Sequence, residues 1–462
     1  MGAEMENLKA IFHPESVAVI GASRERGKIG NNVVENLLKG GFNGRIYPVN
    51  LSGEEVLGLK SYRNVRDITG KVDLAVIAVP AKITTQVIED CVSKGVYGAI
   101  IISAGFSEIG LEGKKLEEEV LRIAGRGGVR VIGPNCQGVI NMSAKLFAWF
   151  GAIPKMRGSV AFITQSGALG GGLISWANEE SIGLFNIVVS LGNKCDVDES
   201  DLLQYFANED DVKSIMIYME GIKNGRKFLE TARKVSQIKP IVALKAGRSP
   251  VGIKAVASHT GSLTTSDQIF DAAFKQCGII RAESVEKMID YSIALSTSSY
   301  AYGKNIAIIT NAGGPGVIAA DLCHEIGLNL NPFSPPVNAK LRELLPPQFS
   351  IGNPVDITGD PNPERFKVAL ETVLGDNYVD GAIVIVVGPL KGGEEVGKII
   401  QDAKKTYKKP IVVCWLSREY AGEAPRKLQA EGVPVFKTPE RAVYAMYSLV
   451  KYCLYIRKVN RR

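Results

Sequence analysis

The chain has 462 residues, 45% of them hydrophobic and 22% charged, a composition that excludes a disordered or fibrous protein and leaves room for about three globular domains. A formal net charge of +7 is modest for this length. With no run of Lys and Arg interleaved with aromatics it argues against nucleic acid as a partner, while a mildly basic surface suits small anionic ligands. Seven cysteines without a C-x-x-C pair predict free thiols in a reducing compartment. The longest apolar runs, such as 382–387, are too short to span a bilayer, and no signal peptide is expected ahead of the first one, so the expected address is cytoplasmic.

In chain order, one organisational unit occurs three times: a β-branched run, a glycine-rich turn and the start of a helix, at 17–23, 160–172 and 306–316. After the first start, short continuous apolar runs follow at 46–49, 74–79, 99–102 and 129–132. The second start leads to runs at 187–189, 215–218 and 241–244, and the third to runs at 382–387, 411–415 and 433–436. Continuous apolar runs alternating with amphipathic segments are what buried parallel strands and crossover helices require. The expectation is therefore α/β, with three doubly wound domains at 1–150, 151–300 and 301–462, and linkers near 152–159 and 298–304.

In such sheets ligands sit at the carboxyl ends of the strands, over backbone amides and a helix N-terminus. The first turn contains Gly21, Ala22, Ser23, Arg24, Glu25, Arg26 and Lys28 and lacks the G-x-G-x-x-G spacing. The next strand ends at Asn50 and Ser52, with no acid placed to take the ribose hydroxyls of NAD. A basic phosphate-binding turn remains, suited to a heavily phosphorylated nucleotide such as coenzyme A; a structural glycine turn with surface basic residues is the plain alternative. In the second unit Gln165, Ser166 and Gly167 follow the strand and open a helix, so their amides and the hydroxyl could hold phosphate. Glu220 ends the run 214–219.

Of three histidines, His13 falls in a Phe-His-Pro turn and His324 within a helical pattern. His259 is expected in a loop, between small hydroxyl residues and Gly261. A neutral imidazole is a phosphate acceptor, and a carboxylate such as Glu220 could fix its tautomer and stabilise the phosphorylated ring. The alternatives are a solvated histidine and a capping glutamate.

The segment 133–140 (Gly-Pro-Asn-Cys-Gln-Gly-Val-Ile), the Ser166-Gly167 turn, 191–201, 218–223 and the surroundings of His259 together resemble the α subunit of succinyl-CoA synthetase. The resemblance is greater to the α subunits of ADP-forming acetyl-CoA synthetases, over essentially the whole chain. It implies a Rossmann-like CoA-binding domain followed by two flavodoxin-like domains, the first of them a ligase domain. It implies His259 as phosphoryl carrier and Glu220 as its orienting partner. CoA would be lined by the 21–28 turn, by Asn50, Ser52, Val79 and Pro80, by Ile102, Ser103, Ala104 and Gly105, and by Asn135 and Cys136. Two helix N-termini would bracket phosphate: one with Gln165, Ser166 and Gly167, the other with Asn311, Ala312, Gly313 and Gly314 together with Thr358 and Gly359. Succinyl-CoA synthetases carry an aromatic residue at the position of Gly171, a departure that favours a smaller or less polar acid than succinate.

No segment resembles the family's ATP-grasp domain, and no Walker-type motif occurs. The resemblance then implies a separate β subunit carrying ATP or ADP and Mg²⁺, in an α2β2 heterotetramer. Three other readings compete less well. A CoA-binding regulator leaves His259 without a purpose, an NAD-dependent oxidoreductase lacks its fingerprint, and a protein acyltransferase on the same domains is expected to carry an additional acetyltransferase domain.

Overall fold

The computed structural model describes residues 2–260, 266–358, 362–388, 392–417 and 421–461, and no side chain of 2–5 or 257–260. The chain forms two compact units, Met1–Arg281 and Ala282–Arg462.

The first unit opens on a helix, Gly2–Phe12, and then builds a five-stranded parallel sheet from β1 (Ser16–Ile20), β2 (Arg45–Val49), β3 (Leu74–Ile77), β4 (Gly98–Ile101) and β5 (Arg130–Ile132). The order is β2-β1-β3-β4-β5. Beyond β2 a single parallel bridge joins Val49 to Tyr62, whose N–H reaches the Pro48 carbonyl at 3.0 Å. The layout is Rossmann-like, with the third strand of the usual order shrunk to one bridge.

The second sheet has seven strands: β6 (Gly138–Asn141), β7 (Leu146–Trp149), β8 (Val160–Thr164), β9 (Phe185–Ser190), β10 (Ser214–Met219), β11 (Ile241–Lys245) and β12 (Ile280–Ala282). Their order is β12-β11-β10-β8-β9-β6-β7, which is flavodoxin-like from β8 to β12 with an added antiparallel hairpin, β6–β7, on the edge. That hairpin and the N-terminal helix weld the two sheets into one unit. Phe12 stacks on Tyr205 at 4.7 Å, and both rings belong to a core cluster that runs through both sheets.

The second unit carries β13 (Ile306–Thr310), β14 (Val355–Asp356), β15 (Gly381–Val386), β16 (Ile411–Trp415) and β17 (Val435–Phe436), in the flavodoxin order β14-β13-β15-β16-β17. Helix Val285–Thr297 packs here, against the long helix Pro439–Asn460. Arg441 fastens it by a two-pronged pair to the buried Asp290, at 2.9 and 2.6 Å.

The predicted runs become strands because helices cover both faces of each sheet. Every residue of β1, β3, β4, β8, β9, β11, β13, β15 and β16 is buried, so no polar face interrupts the apolar sequence.

Candidate active site

Each sheet has a reversal of strand order, at β1/β3, β8/β10 and β13/β15, and the candidate residues gather at the carboxyl ends there. At β1 the turn is shaped by two close approaches. A Cβ on Gly21, which has φ +90°, would lie 2.4 Å from the Ala78 carbonyl oxygen, and one on Gly30 would lie 2.1 Å from the Gly21 oxygen. Only glycine lets helix Ile29–Lys39 start so near the strand end. The amides of Gly21 and Ala22 are taken up by the Val49 carbonyl, at 3.0 and 3.2 Å. Among the described residues no side chain caps the helix, whose first amides are left without a side-chain acceptor. Arg24, Glu25, Arg26 and Lys28 are exposed beside it. Arg24 pairs with Glu54 at 2.8 Å, and this hydrogen bond holds the Glu54 carboxyl below its ordinary range. Asn50 organises the intervening loop: its Oδ1 accepts from Gly53 N at 2.7 Å and from the Ser52 hydroxyl at 2.9 Å.

Ser103 donates its hydroxyl to the Val79 carbonyl, joining the loops after β3 and β4, and Pro80 precedes helix Ala81–Lys94. Asn135, with a left-handed φ of 59°, is exposed and donates its N–H to the Ser103 carbonyl at 2.9 Å. Cys136 is placed otherwise. Its thiol is buried and donates to the Ile101 carbonyl at 3.3 Å, and burial pushes its pKa up to about 12. Gly105 and Phe106 donate their amides to Glu108, at 2.5 and 3.1 Å, and Asn193 donates to the same carboxylate at 2.6 Å. Burial pushes the Glu108 carboxyl up, but the hydrogen bonds from Asn193 and the two amides prevail and hold it below its ordinary value.

The second and third sheets repeat one device. Thr164 Oγ1 accepts from Ser166 N at 3.1 Å and donates to the Ser166 carbonyl; Thr310 does the same with Ala312, its amide at 3.0 Å. The next residue is an amide side chain that ties the neighbouring strand. Gln165 Oε1 accepts from Glu220 N at 2.6 Å and Gly221 N at 3.2 Å, while Asn311 exchanges two bonds of 2.8 Å with Val387. The side chains of Gln165 and Asn311 therefore brace the strand ends. Ser166 Oγ accepts from Leu169 N at 3.3 Å, leaving the amides of Gly167 and Ala168 at the tip. In the third sheet helix Gly313–Glu325 starts at Ala312 without a side-chain cap. Asp356 Oδ2 lies 3.1 Å from where a Cβ of Gly313 would be, and Asp356 Oδ1 accepts the Thr358 amide at 2.9 Å. Gly359 lies outside the described residues.

Glu220 is only 5% exposed, and its Oε2 has no hydrogen-bond partner among the described residues. A buried carboxylate oxygen without a donor is costly and calls for one. For His259 the expected loop is corrected: the backbone is helical from Pro250 to Thr260. Pro250 suits the first turn, the Ser249 hydroxyl accepts from Gly252 N at 3.1 Å, and the good helix formers Lys254, Ala255 and Ala257 help carry the helix on. The His259 side chain is not among those described. This helix lies against the turn Ser107–Ile109 of the first sheet's loops.

Two residues with no assigned role emerge at the hairpin. The Gln137 side chain lies across helix Gly167–Glu179, its Oε1 buried without a partner among the described residues and 3.2 Å from where a Cβ of Gly171 would be. Trp149 is fully buried, and its indole Nε1 has no partner among the described residues and lies 2.9 Å from where a Cβ of Gly151 would be. The Gln137 oxygen is 3.9 Å from that same point, so a donor and an acceptor without partners line one small space. Nothing in the spacing of the sequence marked them, because they meet only once the hairpin joins the second sheet.

The chain thus sets a Rossmann-like domain with a basic turn ahead of two glycine-opened flavodoxin-like domains, and known families match this arrangement. Three family descriptions match in series: a CoA binding domain over residues 15–142, a succinyl-CoA ligase like flavodoxin domain over 157–295 and a ligase-CoA domain over 306–454. The chain is 43% identical to the acetate–CoA ligase (ADP-forming) I subunit alpha of Pyrococcus furiosus, over 96% of this chain and 98% of that one. It is 42% identical to the acetate–CoA ligase (ADP-forming) I of Archaeoglobus fulgidus, over 96% of this chain but only 64% of that longer relative. The chain belongs to the ADP-forming acetate–CoA ligase family, as an α-subunit-like member. It superposes with a TM-score of 0.92 and 39% identity on a dinucleotide forming acetyl-coenzyme A synthetase 1 of Candidatus Korarchaeum cryptofilum, solved with phosphate and ADP, over 98% of each chain. No helix among the described residues is long and apolar enough to cross a membrane.

Proposed function

We propose that the chain is the CoA-binding, phosphohistidine-carrying subunit of an ADP-forming acyl-CoA ligase. The observation that carries this reading is Glu220: a buried carboxylate with an unpartnered oxygen at a strand end, in the domain that holds His259. In the reaction, phosphate attacks the acyl-CoA carbonyl, and the CoA thiol leaves to give an acyl phosphate. The His259 imidazole then takes the phosphoryl group and releases the acid, and the phosphoryl group passes to ADP to give ATP. Glu220 accepts the other ring N–H of the imidazole, which directs the free nitrogen at phosphorus and stabilises the cationic phosphoimidazole. The uncapped amides at Gly167 and Ala168 suit the phosphate oxygens.

CoA fits the first domain through its phosphates: the helix start at Ile29 is uncapped, Gly21 and Gly30 bring it close to the strand end, and Arg24, Arg26 and Lys28 stand beside it. The acid would be gripped through its carboxylate by the Trp149 indole N–H, beside the Gln137 side chain. Gln137 fills the space over Gly171 where succinyl-CoA synthetases carry an aromatic residue, which supports a small monocarboxylic acid such as acetate. The nucleotide and Mg²⁺ belong to a separate ATP-grasp chain, in an α2β2 assembly in the cytoplasm. Support for a partner comes from the Pyrococcus furiosus relative, which is named a subunit alpha, and from the Archaeoglobus fulgidus relative, which extends well beyond the match.

The test is incorporation of label from γ-labelled ATP. With the partner chain, acid-labile phosphate should appear on His259, and it should be absent from His259→Ala and from the purified chain alone. CoA binding should survive His259→Ala. Phosphate on another residue, or ATP made from ADP, phosphate and acetyl-CoA by the chain alone, would refute the proposal.

A further inference from the structure

Between the CoA-binding and ligase domains runs the segment that leaves β9. It lies along the end of β5 as a series of turns: Asn193 N reaches the Pro134 carbonyl at 2.9 Å, Cys195 N the Gly133 carbonyl at 2.9 Å and Val197 N the Val131 carbonyl at 3.1 Å. Asp196 secures it, accepting from Val131 N at 2.8 Å and from Arg130 Nε at 2.9 Å. The segment is thus registered against the loop that presents Asn135. In its middle Lys194 adopts φ +47°, a left-handed conformation rare outside glycine, and its side chain turns into the ligase domain, where it is 4% exposed.

There the ammonium donates to the Gly221 carbonyl at 2.6 Å and to the buried Glu199 at 2.5 Å. From the other side Gln165 Oε1 holds the amides of Glu220 and Gly221. Lys223 closes the frame with a 2.9 Å bond to the Lys194 carbonyl. The backbone on both sides of Glu220 is therefore pinned, and one of the pins is mounted on the segment of the ligase domain that is hydrogen-bonded to the end of β5 in the CoA-binding domain. Folding alone does not call for this arrangement. A buried ion pair is commonly matched or bettered by well-packed apolar side chains, and here it also imposes a strained backbone. What an apolar pair could not do is hold the Gly221 carbonyl in place.

We propose that Lys194 is a positioning residue for Glu220, fixing the height of that carboxylate relative to the CoA-binding domain so that it meets the imidazole. This rests on the reading of Glu220 as the partner of the phosphohistidine. The test uses the full complex with its nucleotide-binding chain and the double variant Lys194→Met/Glu199→Met, which removes both buried charges together. It should melt close to the parent and bind CoA with an affinity within about twofold, yet form phosphohistidine at least tenfold more slowly in single turnover, figures set by what mutant kinetics resolve (about twofold against about tenfold). In a Glu220→Gln background the same double change should slow the reaction no further, since a group acting through Glu220 has nothing left to position. A parental rate in the double variant, a melting temperature far below the parent, or slowing that simply adds to that of Glu220→Gln would each overturn the positioning role. A Glu220→Gln enzyme phosphorylated at the parental rate would instead overturn the reading of Glu220 on which it rests.

Discussion

Glutamine at position 220 keeps the shape of the side chain and its place at the end of β10 but removes the charge. The magnitude follows from burial. Glu220 is 5% exposed, so water screens it little, and Oε2 has no competing donor among the described residues. For a carboxylate and an imidazolium in hydrogen-bond contact, with charge centres about 4 Å apart and an effective dielectric constant near 20, the attraction is about 4 kcal/mol. The carboxamide retains a neutral hydrogen bond of about 1 kcal/mol, leaving a deficit of about 3 kcal/mol, or roughly two orders of magnitude in rate. The assay is rapid-quench single turnover with labelled ATP and the partner chain, counting acid-labile phosphate against time. CoA affinity, measured by calorimetry on the same preparation, should be unchanged because the CoA turn belongs to another sheet. A phosphorylation rate within about threefold of the parent, where the Coulomb argument requires about a hundredfold loss, would show that Glu220 carries no charge-dependent role.

Calorimetry should also show CoA binding more tightly than its 3′-dephospho form and no binding of NAD(H); tight NAD with indifference to CoA would overturn the reading of the Gly21–Gly30 turn. Trp149→Phe keeps the buried ring and loses its N–H, so kcat/KM for the acid should fall about tenfold or more, the loss of one hydrogen bond to a charged group, with CoA kinetics unaltered; an unchanged kcat/KM would remove Trp149 from the acid site. Arg441→Met leaves Asp290 buried without its partner and should cost about 3–5 kcal/mol near pH 8. Asp290 already has its pKa pushed up to about 6 by burial, against the pull of Arg441, from an ordinary 3.8. A raised pKa contributes stability that is present below the ordinary value and lost as pH rises through the folded one, and removing Arg441 raises it further. Denaturant unfolding at pH 8 and pH 5 should therefore show the deficit of the variant shrinking at the lower pH; an equal deficit at both would refute the role given to Asp290.

The sequence by itself determined the three doubly wound sheets, because parallel strands covered on both faces must be written as unbroken apolar runs, as at 74–79, 160–164 and 382–387. It also determined the glycine turns and their helices, since the crowding at Gly21 and Gly30 admits no side chain and leaves a visible signature. Short strands escaped it: β6, β12 and the two-residue β14 are too brief for any periodicity, and the last exists only through its pairing with β13. The helix bearing His259 is hidden in the sequence, where small hydroxyl residues and nearby glycines outweigh the helix formers before them. Tertiary structure alone decided which polar side chains are used up and which are left over. Gln165 and Cys136 turned inward to bond the backbone, whereas Glu220, Gln137 and Trp149 were each left with a buried polar atom unpartnered. It decided Lys194 as well, whose partner carbonyl at Gly221 lies 27 residues away along the chain. Such pairings depend on which strand ends the crossovers bring side by side, and side-chain chemistry read along a line carries no record of that.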